Sequence, residues 1–315
     1  MNAPLLEARN IVKSFPTRNA LGFTTGKVDA VRDVSFTIRQ GETYGLVGES
    51  GSGKSTMGRI LQSLIEPSSG DVLYRGKSLS SFTSRELREY KTRVQMVFQD
   101  PHSSLNPRRR IGTILNEALL IQGVSEKSER RERVRDALEE VGFGEEHEMR
   151  YPHEFSGGQR QRIGIARALI TNPDVILLDE AVSALDVSIQ SAILNLLNKV
   201  KRDMDLSYLF ISHDLGVVRY ISDRIGVMYR GQLVEEAPVE ELLSNPIHPY
   251  TKKLLVAIPQ SKLLSERGAE LIEQWKKPAS NEYESGPENS CDDHFVAEFD
   301  AETVERFAPS ERTAS

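Results

Sequence analysis

Residues 48–56 read GESGSGKST, which sets Gly48, Gly53, Lys54 and Ser55 at the spacing G-x-x-x-x-G-K-[ST] of a phosphate-binding loop. A triphosphate needs several backbone N–H groups turned inward, and glycine lets a chain curl that tightly and approach that closely. In such a loop Lys54 reaches the β- and γ-phosphates and the Ser55 hydroxyl faces Mg²⁺. The candidate nucleotide contacts are therefore Gly48, Glu49, Ser50, Gly51, Ser52, Gly53, Lys54, Ser55 and Thr56. A second group of chemistry-bearing residues is Asp179-Glu180, directly after the apolar run Val175–Leu178. A triphosphatase needs a carboxylate for the Mg²⁺ shell and a group that activates the attacking water. Asp179 suits the first role, since Mg²⁺ prefers hard oxygen ligands, and Glu180 suits the second as general base. Gln99 and His213 also follow short apolar runs. Gln99 can hold the metal or the attacking water through its amide, and His213 can hydrogen-bond the γ-phosphate.

The elements needed to position these groups are legible in the pattern. Tyr44–Val47 reads as a buried strand and Thr56–Ile65 as a helix whose positive dipole end favours anions. Leu5–Phe15 and Ala30–Ile38 alternate apolar and polar residues like half-exposed antiparallel strands. Phe15, in the SFP turn at the end of the first strand, either packs on that layer or offers a platform for an adenine ring. Val94–Phe98 is a further strand, and from Pro101 to Glu154 the spacing turns helical (Ile111, Ile114, Leu115, Ala118 and Leu119, then Val134, Ala137, Leu138 and Val141). Alternation then resumes. A helix opens at Phe155–Gln159 and runs to Ile170, followed by a strand at Val175–Leu178, a helix over Val187–Val200 and a strand at Tyr208–Ile211. A hairpin at Ile225–Val234 and a short helix at Val239–Leu243 come next. Strands alternating with helices specify a parallel α/β sheet.

Composition bounds the rest. The chain has 315 residues, 38% hydrophobic and 27% charged, in the ordinary range for a globular protein. No apolar run is long enough to span a bilayer, and no basic-then-apolar leader opens the chain, so a cytoplasmic location is expected. Residues 263–315 carry 13 acidic and 5 basic side chains, a balance of −8 against −6 for the whole chain, which leaves residues 1–262 at +2. The acidity belongs to the tail. A nearly neutral body lacks the footprint of a nucleic-acid binder, and Arg108–Arg110 and Arg130–Arg135 read as solvated helix faces or partner contacts. Within the tail, Leu263–Trp275 reads as an amphipathic helix and Lys276–Asn289 as flexible.

The ordered set of motifs resembles the ATP-binding subunits of ABC transporters. GESGSGKST, VFQDP around Gln99, FSGGQRQR at Phe155–Arg162, VILLDE at Val175–Glu180, SALD at Ser183–Asp186 and ISHD around His213 carry the resemblance, over roughly Leu5–Glu240. SGGQ shortly before a strand ending in Asp-Glu is its most discriminating element. The resemblance implies a P-loop, RecA-like parallel-sheet core with an N-terminal antiparallel β layer and an inserted α-helical subdomain at about 101–156. It implies ATP and Mg²⁺ as ligands, Ser55, Gln99 and Asp179 around the metal, Glu180, His213 and Gln99 in catalysis, and Phe15 under the adenine. It also implies head-to-tail pairing, in which Ser156, Gly157, Gly158, Gln159 and Asp186 serve the nucleotide held by a second subunit.

FQDPHSSLNPR at Phe98–Arg108, DEAVSALDVSIQ at Asp179–Gln190 and NPIHPYTKKLLVAIP at Asn245–Pro259 narrow the resemblance. They are similar to the oligopeptide/dipeptide importer branch, which also takes in nickel, glutathione and opine importers, and to the second of its two paired ATPase subunits. The implied partners are a related ATPase subunit forming a hetero-pair, two membrane-spanning permease subunits and an extracytoplasmic solute-binding protein. The resemblance implies the cytoplasmic face of the membrane as the place of work. Many members of the branch carry several tail cysteines resembling an iron–sulfur site; Cys291 is the one cysteine here, so no cluster is expected. A soluble ABC ATPase of DNA repair or the ribosome is the rival reading, but the chain has neither a second phosphate loop nor a sustained heptad run. The expected organisation is an ATP-binding domain over 1–262, with an HPYT element at about 245–259, and an acidic tail over 263–315.

Overall fold

The computed structural model describes residues 4–19, 23–99, 104–183, 185–257 and 294–297. Alternation at the N-terminus builds an antiparallel pair, β1 (Pro4–Arg18) and β2 (Thr24–Arg39). Register shifts along the pair bend the ribbon over the layer beneath it, onto which Leu6, Ile11, Val34 and Ile38 are buried. One expectation is corrected. Phe15 lies within β1, opposite Val28, and not in a turn at its end. Pro16 is tolerated beside it because β1 pairs with β4 only as far as Val12, so this part of the strand has β2 alone as its ladder neighbour.

Five buried residues form β3 (Thr43–Val47), which runs into the glycine loop and then α1 (Lys54–Leu61). The chain returns to the antiparallel layer as β4 (Ser69–Tyr74) and β5 (Lys77–Ser78), giving the order β2-β1-β4-β5. A Thr83/Glu86 capping box then opens α2 (Ser84–Arg93), which leads into β6 (Val94–Val97). The expected helical insertion is built by α3 (Ile111–Gln122) and α4 (Lys127–Glu140). Beyond it come α5 (Gly157–Leu169), β7 (Val175–Asp179), α6 (Val187–Met204), β8 (Ser207–Ser212), α7 (Leu215–Ile221) and the antiparallel hairpin β9 (Arg224–Tyr229) and β10 (Gln232–Pro238). Two short helices follow, α8 (Val239–Ser244) and α9 (Pro249–Val256).

Among the described residues the second sheet has seven strands, in the order β11-β10-β9-β3-β8-β7-β6, and is parallel from β9 to β6. Its edge strand β11 (Phe295–Val296) comes from the acidic tail. The amphipathic helix expected at Leu263–Trp275, the segment Lys276–Asn289 and Cys291 lie outside the described residues. Both faces of the parallel sheet are covered, which is why its strands read as unbroken apolar runs. Val175 and Leu177 pack in one cluster with Ile38, Met57 and Leu61, while Ile176 and Leu178 pack in the other with Ile163, Ile193 and Val218. That second cluster continues into the insertion through Ile114, Leu115 and Leu138. Because five neighbouring strands run the same way, their carboxyl ends share one edge. Gly48, Gln99, Asp179-Glu180 and His213 all emerge there.

Candidate nucleotide-binding site

The glycine loop is held by backbone approaches that a side chain would block. A Cβ on Gly48 would stand 2.2 Å from the Met228 carbonyl oxygen, and one on Gly53 would stand 2.3 Å from that of Ala30. Gly51 differs: its φ of +81° is left-handed and a Cβ there would meet nothing within 4 Å, so the loop turns this glycine toward open space. The β9–β10 turn supports the loop from outside, with the Gly231 N–H donating to the Ser52 carbonyl at 3.0 Å. Inside, the buried Lys54 ammonium donates to the Gly48 carbonyl at 2.7 Å, the Glu49 carbonyl at 2.9 Å and Ser52 Oγ at 3.3 Å. Burial lowers its pKa, and the carboxylates of Glu180, Asp179 and Glu49 oppose that shift.

Directly across from the loop, Ser55 Oγ donates to Asp179 Oδ1 at 2.9 Å. Burial raises the Asp179 pKa; the Ser55 hydrogen bond pulls it down, and the neighbouring Glu180 charge pushes it up again. A desolvated carboxylate paired with a hydroxyl is an all-oxygen donor set, which fits Mg²⁺. The next residue, Glu180, has a left-handed backbone (φ 49°) pinned by its N–H donating to the Ile211 carbonyl at 2.9 Å. Such a conformation costs a non-glycine residue about 1–3 kcal/mol and is held only where the surroundings dictate it. Here it swings the carboxylate between two strand ends. Gln99 Nε2 donates to Glu180 Oε2 at 2.9 Å, and His213 Nδ1 lies 3.4 Å from Glu180 Oε1. Gln99, Glu180 and His213, which are far apart in sequence, thus form one contact cluster beside the Ser55–Asp179 pair. Ser183 Oγ donates to the Glu180 carbonyl at 2.9 Å and ties the SALD segment to it.

Phe15 is 40% exposed, with Lys13 Nζ 5.3 Å from its ring centroid. Its cross-strand neighbour Val28 lies two residues from Ala30, the residue that abuts Gly53, so Phe15 is paired with β2, the strand that walls the loop. The signature residues occupy a different place, the N-terminus of α5. Ser156 caps that helix by accepting the Gln159 N–H, while the Gln159 side chain accepts the Ser156 N–H in return. Ser156 and Gln159 are exposed, Gly157 is half-buried and Gly158 is buried. Asp186, also exposed, stands at the N-terminus of α6. A Cβ on Gly158 would lie 2.3 Å from the Ile189 Cγ2 methyl on α6. Because that methyl sits on a stiff β-branched carbon, Gly158→Ala should cost about 1–3 kcal/mol by overpacking. A thermal melt showing a lower midpoint is the expected result; an unchanged midpoint would mean that α5 and α6 separate freely.

Sequence reasoning missed two supports of the loop. The Glu49 N–H donates to the hydroxyl of buried Tyr250 at 2.9 Å, and Lys253 Nζ lies 3.5 Å from Glu49 Oε1. Both residues belong to the HPYT element, whose letters carried no derivable chemistry. A groove of about 700 Å³ also opens between α2–β6 and the insertion, lined by Leu87, Met96, Phe98, Ile114 and Ile121. Leu64, Leu120 and Ile121 are exposed around this region.

A glycine loop closing on a lysine between a parallel strand and a helix, with paired carboxylates at a neighbouring strand end, defines a P-loop nucleotide triphosphatase. Comparison with known proteins narrows the class. Residues 31–183 match the ABC transporter family, and residues 234–286 match the oligopeptide/dipeptide transporter C-terminal region. The oligopeptide transport ATP-binding protein OppF of Bacillus subtilis is 53% identical over 261 residues, 82% of this chain and 84% of that protein. The oligopeptide transport ATP-binding protein AppF of the same species is 49% identical over 260 residues, 82% of this chain and 79% of that one. Among solved structures, a dimeric ATP-binding cassette in a post-hydrolysis state bound to ADP and Pi superimposes with a TM-score of 0.64 at 28% identity, covering 74% of this chain and 98% of that chain. The chain belongs to the ABC transporter ATP-binding proteins, and it is the nucleotide-binding ATPase motor of an importer. No helix among the described residues is long and apolar enough to cross a membrane.

Proposed function

We propose that this chain drives import of oligopeptides or dipeptides from the cytoplasmic face of the membrane. It would pair there with a related ATPase subunit and serve two membrane-spanning permeases fed by an extracytoplasmic solute-binding protein. The observation that carries the catalytic part is the contact of Gln99, Glu180 and His213 beside the Ser55–Asp179 pair. The match over residues 234–286 and the oligopeptide relatives support the substrate.

In this reading ATP lies with its adenine on Phe15 and its phosphates along the amides from Ser50 to Thr56, with Lys54 turned from the loop carbonyls to the β- and γ-phosphates. Ser55, Asp179 and Gln99 would hold Mg²⁺, which would neutralise developing phosphate charge. Glu180 takes a proton from the water that attacks the γ-phosphorus, the bond to the β-phosphate oxygen breaks, and ADP and phosphate result. His213 donates a hydrogen bond to the γ-phosphate. Ser156 still has a hydroxyl proton to donate while its oxygen caps α5, so together with Gly157, Gly158 and Gln159 it offers an anion site to the nucleotide of a facing subunit. Asp186 lies across the same interface. ATP then bridges two subunits and hydrolysis removes the bridge. Gln99 passes that change to the insertion, where the apolar groove beside Ile114 and Ile121 receives a cytoplasmic helix of a permease.

The test is reconstitution in vesicles with the paired ATPase subunit, both permeases and the binding protein. Short peptides should stimulate ATPase activity and accumulate inside. Stimulation by glutathione or Ni²⁺ instead would reassign the substrate, and no stimulation by any of them would remove the import reading.

A further inference from the structure

We propose that Tyr250 is a positioning residue for the phosphate loop, and that the chain of hydrogen bonds holding it begins in the C-terminal strand β11. The inference deepens the nucleotide site and rests on Gly48–Thr56 being the ATP cradle.

The peptide unit between Gly48 and Glu49 is the loop's first. Its carbonyl accepts the Lys54 ammonium at 2.7 Å, and its N–H donates to Tyr250 Oη at 2.9 Å. A peptide that follows a glycine flips readily, and a flip here would break both contacts at once. The Tyr250 hydroxyl therefore locks the peptide on which Lys54 rests and fixes where the loop begins. The phenol is suited to this. It is fully buried, its ring lies 4.4 Å from that of Tyr229, and burial keeps it protonated, with its pKa pushed up to about 12.

Tyr250 is held in turn by what precedes it. Pro249 takes the first position of α9, where its missing N–H costs nothing, and His248 caps the helix by accepting the Tyr250 N–H on Nδ1 at 3.1 Å. Burial pushes the His248 pKa down to about 4, which leaves Nδ1 an acceptor. Upstream again, the N–H groups of Ile247 and His248 donate to the two carboxylate oxygens of Glu235 at 2.8 and 3.1 Å. Glu235 lies on β10 with a fully buried side chain. Its Oε1 also meets His294 Nε2 at 2.9 Å, and His294 Nδ1 lies 3.6 Å from Glu241. His294 directly precedes β11, which pairs Val296 with Glu235 and Phe295 with Glu236, and the Ala297 N–H donates to the Val234 carbonyl at 2.9 Å. A continuous path thus runs from the tail strand through His294, Glu235, His248 and Tyr250 to the Gly48–Glu49 peptide. A buried carboxylate with three N–H partners leaves little slack: if β11 leaves, Glu235 loses one of them, and the start of α9 loosens.

The experiment measures ATP affinity and steady-state kinetics on the full chain. Binding by the wild type, lost in Lys54→Ala, first establishes the cradle; without it the reading of the loop fails, not this proposal. Tyr250→Phe keeps the ring and removes the hydroxyl that accepts the Glu49 N–H. It should raise the Kd and KM for ATP about tenfold, the size of one lost hydrogen bond with a buried N–H left unmade, while kcat at saturating ATP stays near wild type. His294→Ala should shift Kd in the same direction by a smaller factor. His294→Gln, whose amide can still donate to Glu235, should restore it. An unchanged Kd in Tyr250→Phe, or a loss of kcat with KM intact, overturns the positioning role. A lower melting temperature in His294→Ala with no change in Kd overturns the link to the tail. If Tyr250→Phe fails to fold, the His294 pair decides the question.

Discussion

Glu180→Gln is expected to lower ATP turnover by a factor of about 10²–10⁴, the usual contribution of a general base, while ATP stays bound and the closed dimer accumulates. The substitution is nearly isosteric, so the neighbours that define the site, Gln99 Nε2 and His213 Nδ1, keep a partner of the same shape. Proton-accepting power is what disappears. The electrostatics favour trapping as well. Asp179 and Glu180 are adjacent carboxylates whose charges push against each other, and both face the region a triphosphate enters. Removing one negative charge there strengthens anion binding even as it removes the base. The same carboxylate also helps keep Lys54 charged, so some of that gain is given back. Light scattering with and without ATP reads the dimer, and phosphate release reads turnover. Normal turnover in Glu180→Gln would show that the attacking water is activated elsewhere, with His213 as the remaining candidate within the cluster.

The parts of this site that were legible in the sequence are those fixed by local rules. The glycine spacing, the carboxylates at the end of an apolar strand and the helix that opens at Phe155–Gln159 each follow from a backbone demand within about ten residues. Parallel strands then gathered Gly48, Gln99, Glu180 and His213 at one edge, as alternating β/α patterning predicts. Residues 69–93 were harder. The β4–β5 hairpin turns on Arg75-Gly76, both with positive φ, and an arginine in a left-handed turn carries none of the usual Asn-Gly or Asp-Gly signal. Helix α2 buries Tyr90 alone, so its capping box had no apolar stripe to support it. Phe15-Pro16 reads as a turn in the sequence; the pairing of β4 along only part of β1 explains why proline is tolerated within the strand. The Tyr250–Glu49 and His294–Glu235 contacts span 201 and 59 positions, and no short-range pattern encodes them. The HPYT letters were visible, but their use depends on a partner brought in by the fold.

Lys54→Ala should abolish both ATP binding and ATP-driven pairing, and the second loss is the more informative. The Lys54 ammonium is the cation seated inside the loop, held by three loop oxygens that a triphosphate would replace as its acceptors. Charge-assisted hydrogen bonds contribute about 1.5–3 kcal/mol each, so losing two to the β- and γ-phosphates costs a factor of about 10² to 10⁴ in affinity. The cost rises further because Asp179, Glu180 and Glu49 then face the triphosphate with less opposing charge. Were the loop a self-sufficient site, the damage would end at binding. The signature residues argue otherwise: Ser156 and Gln159 stand exposed at the head of α5, a second anion-favouring turn in a chain that already has one cradle. In the proposed shared site, a nucleotide held by Lys54 in one subunit and met by Ser156 of the next would make pairing depend on ATP. Nucleotide titration and sedimentation should therefore fail together in Lys54→Ala. In the wild type, specific ATPase activity should rise with protein concentration. Full turnover by a strict monomer, independent of concentration, would overturn the shared site and leave the exposed SGGQ turn as no more than a helix cap.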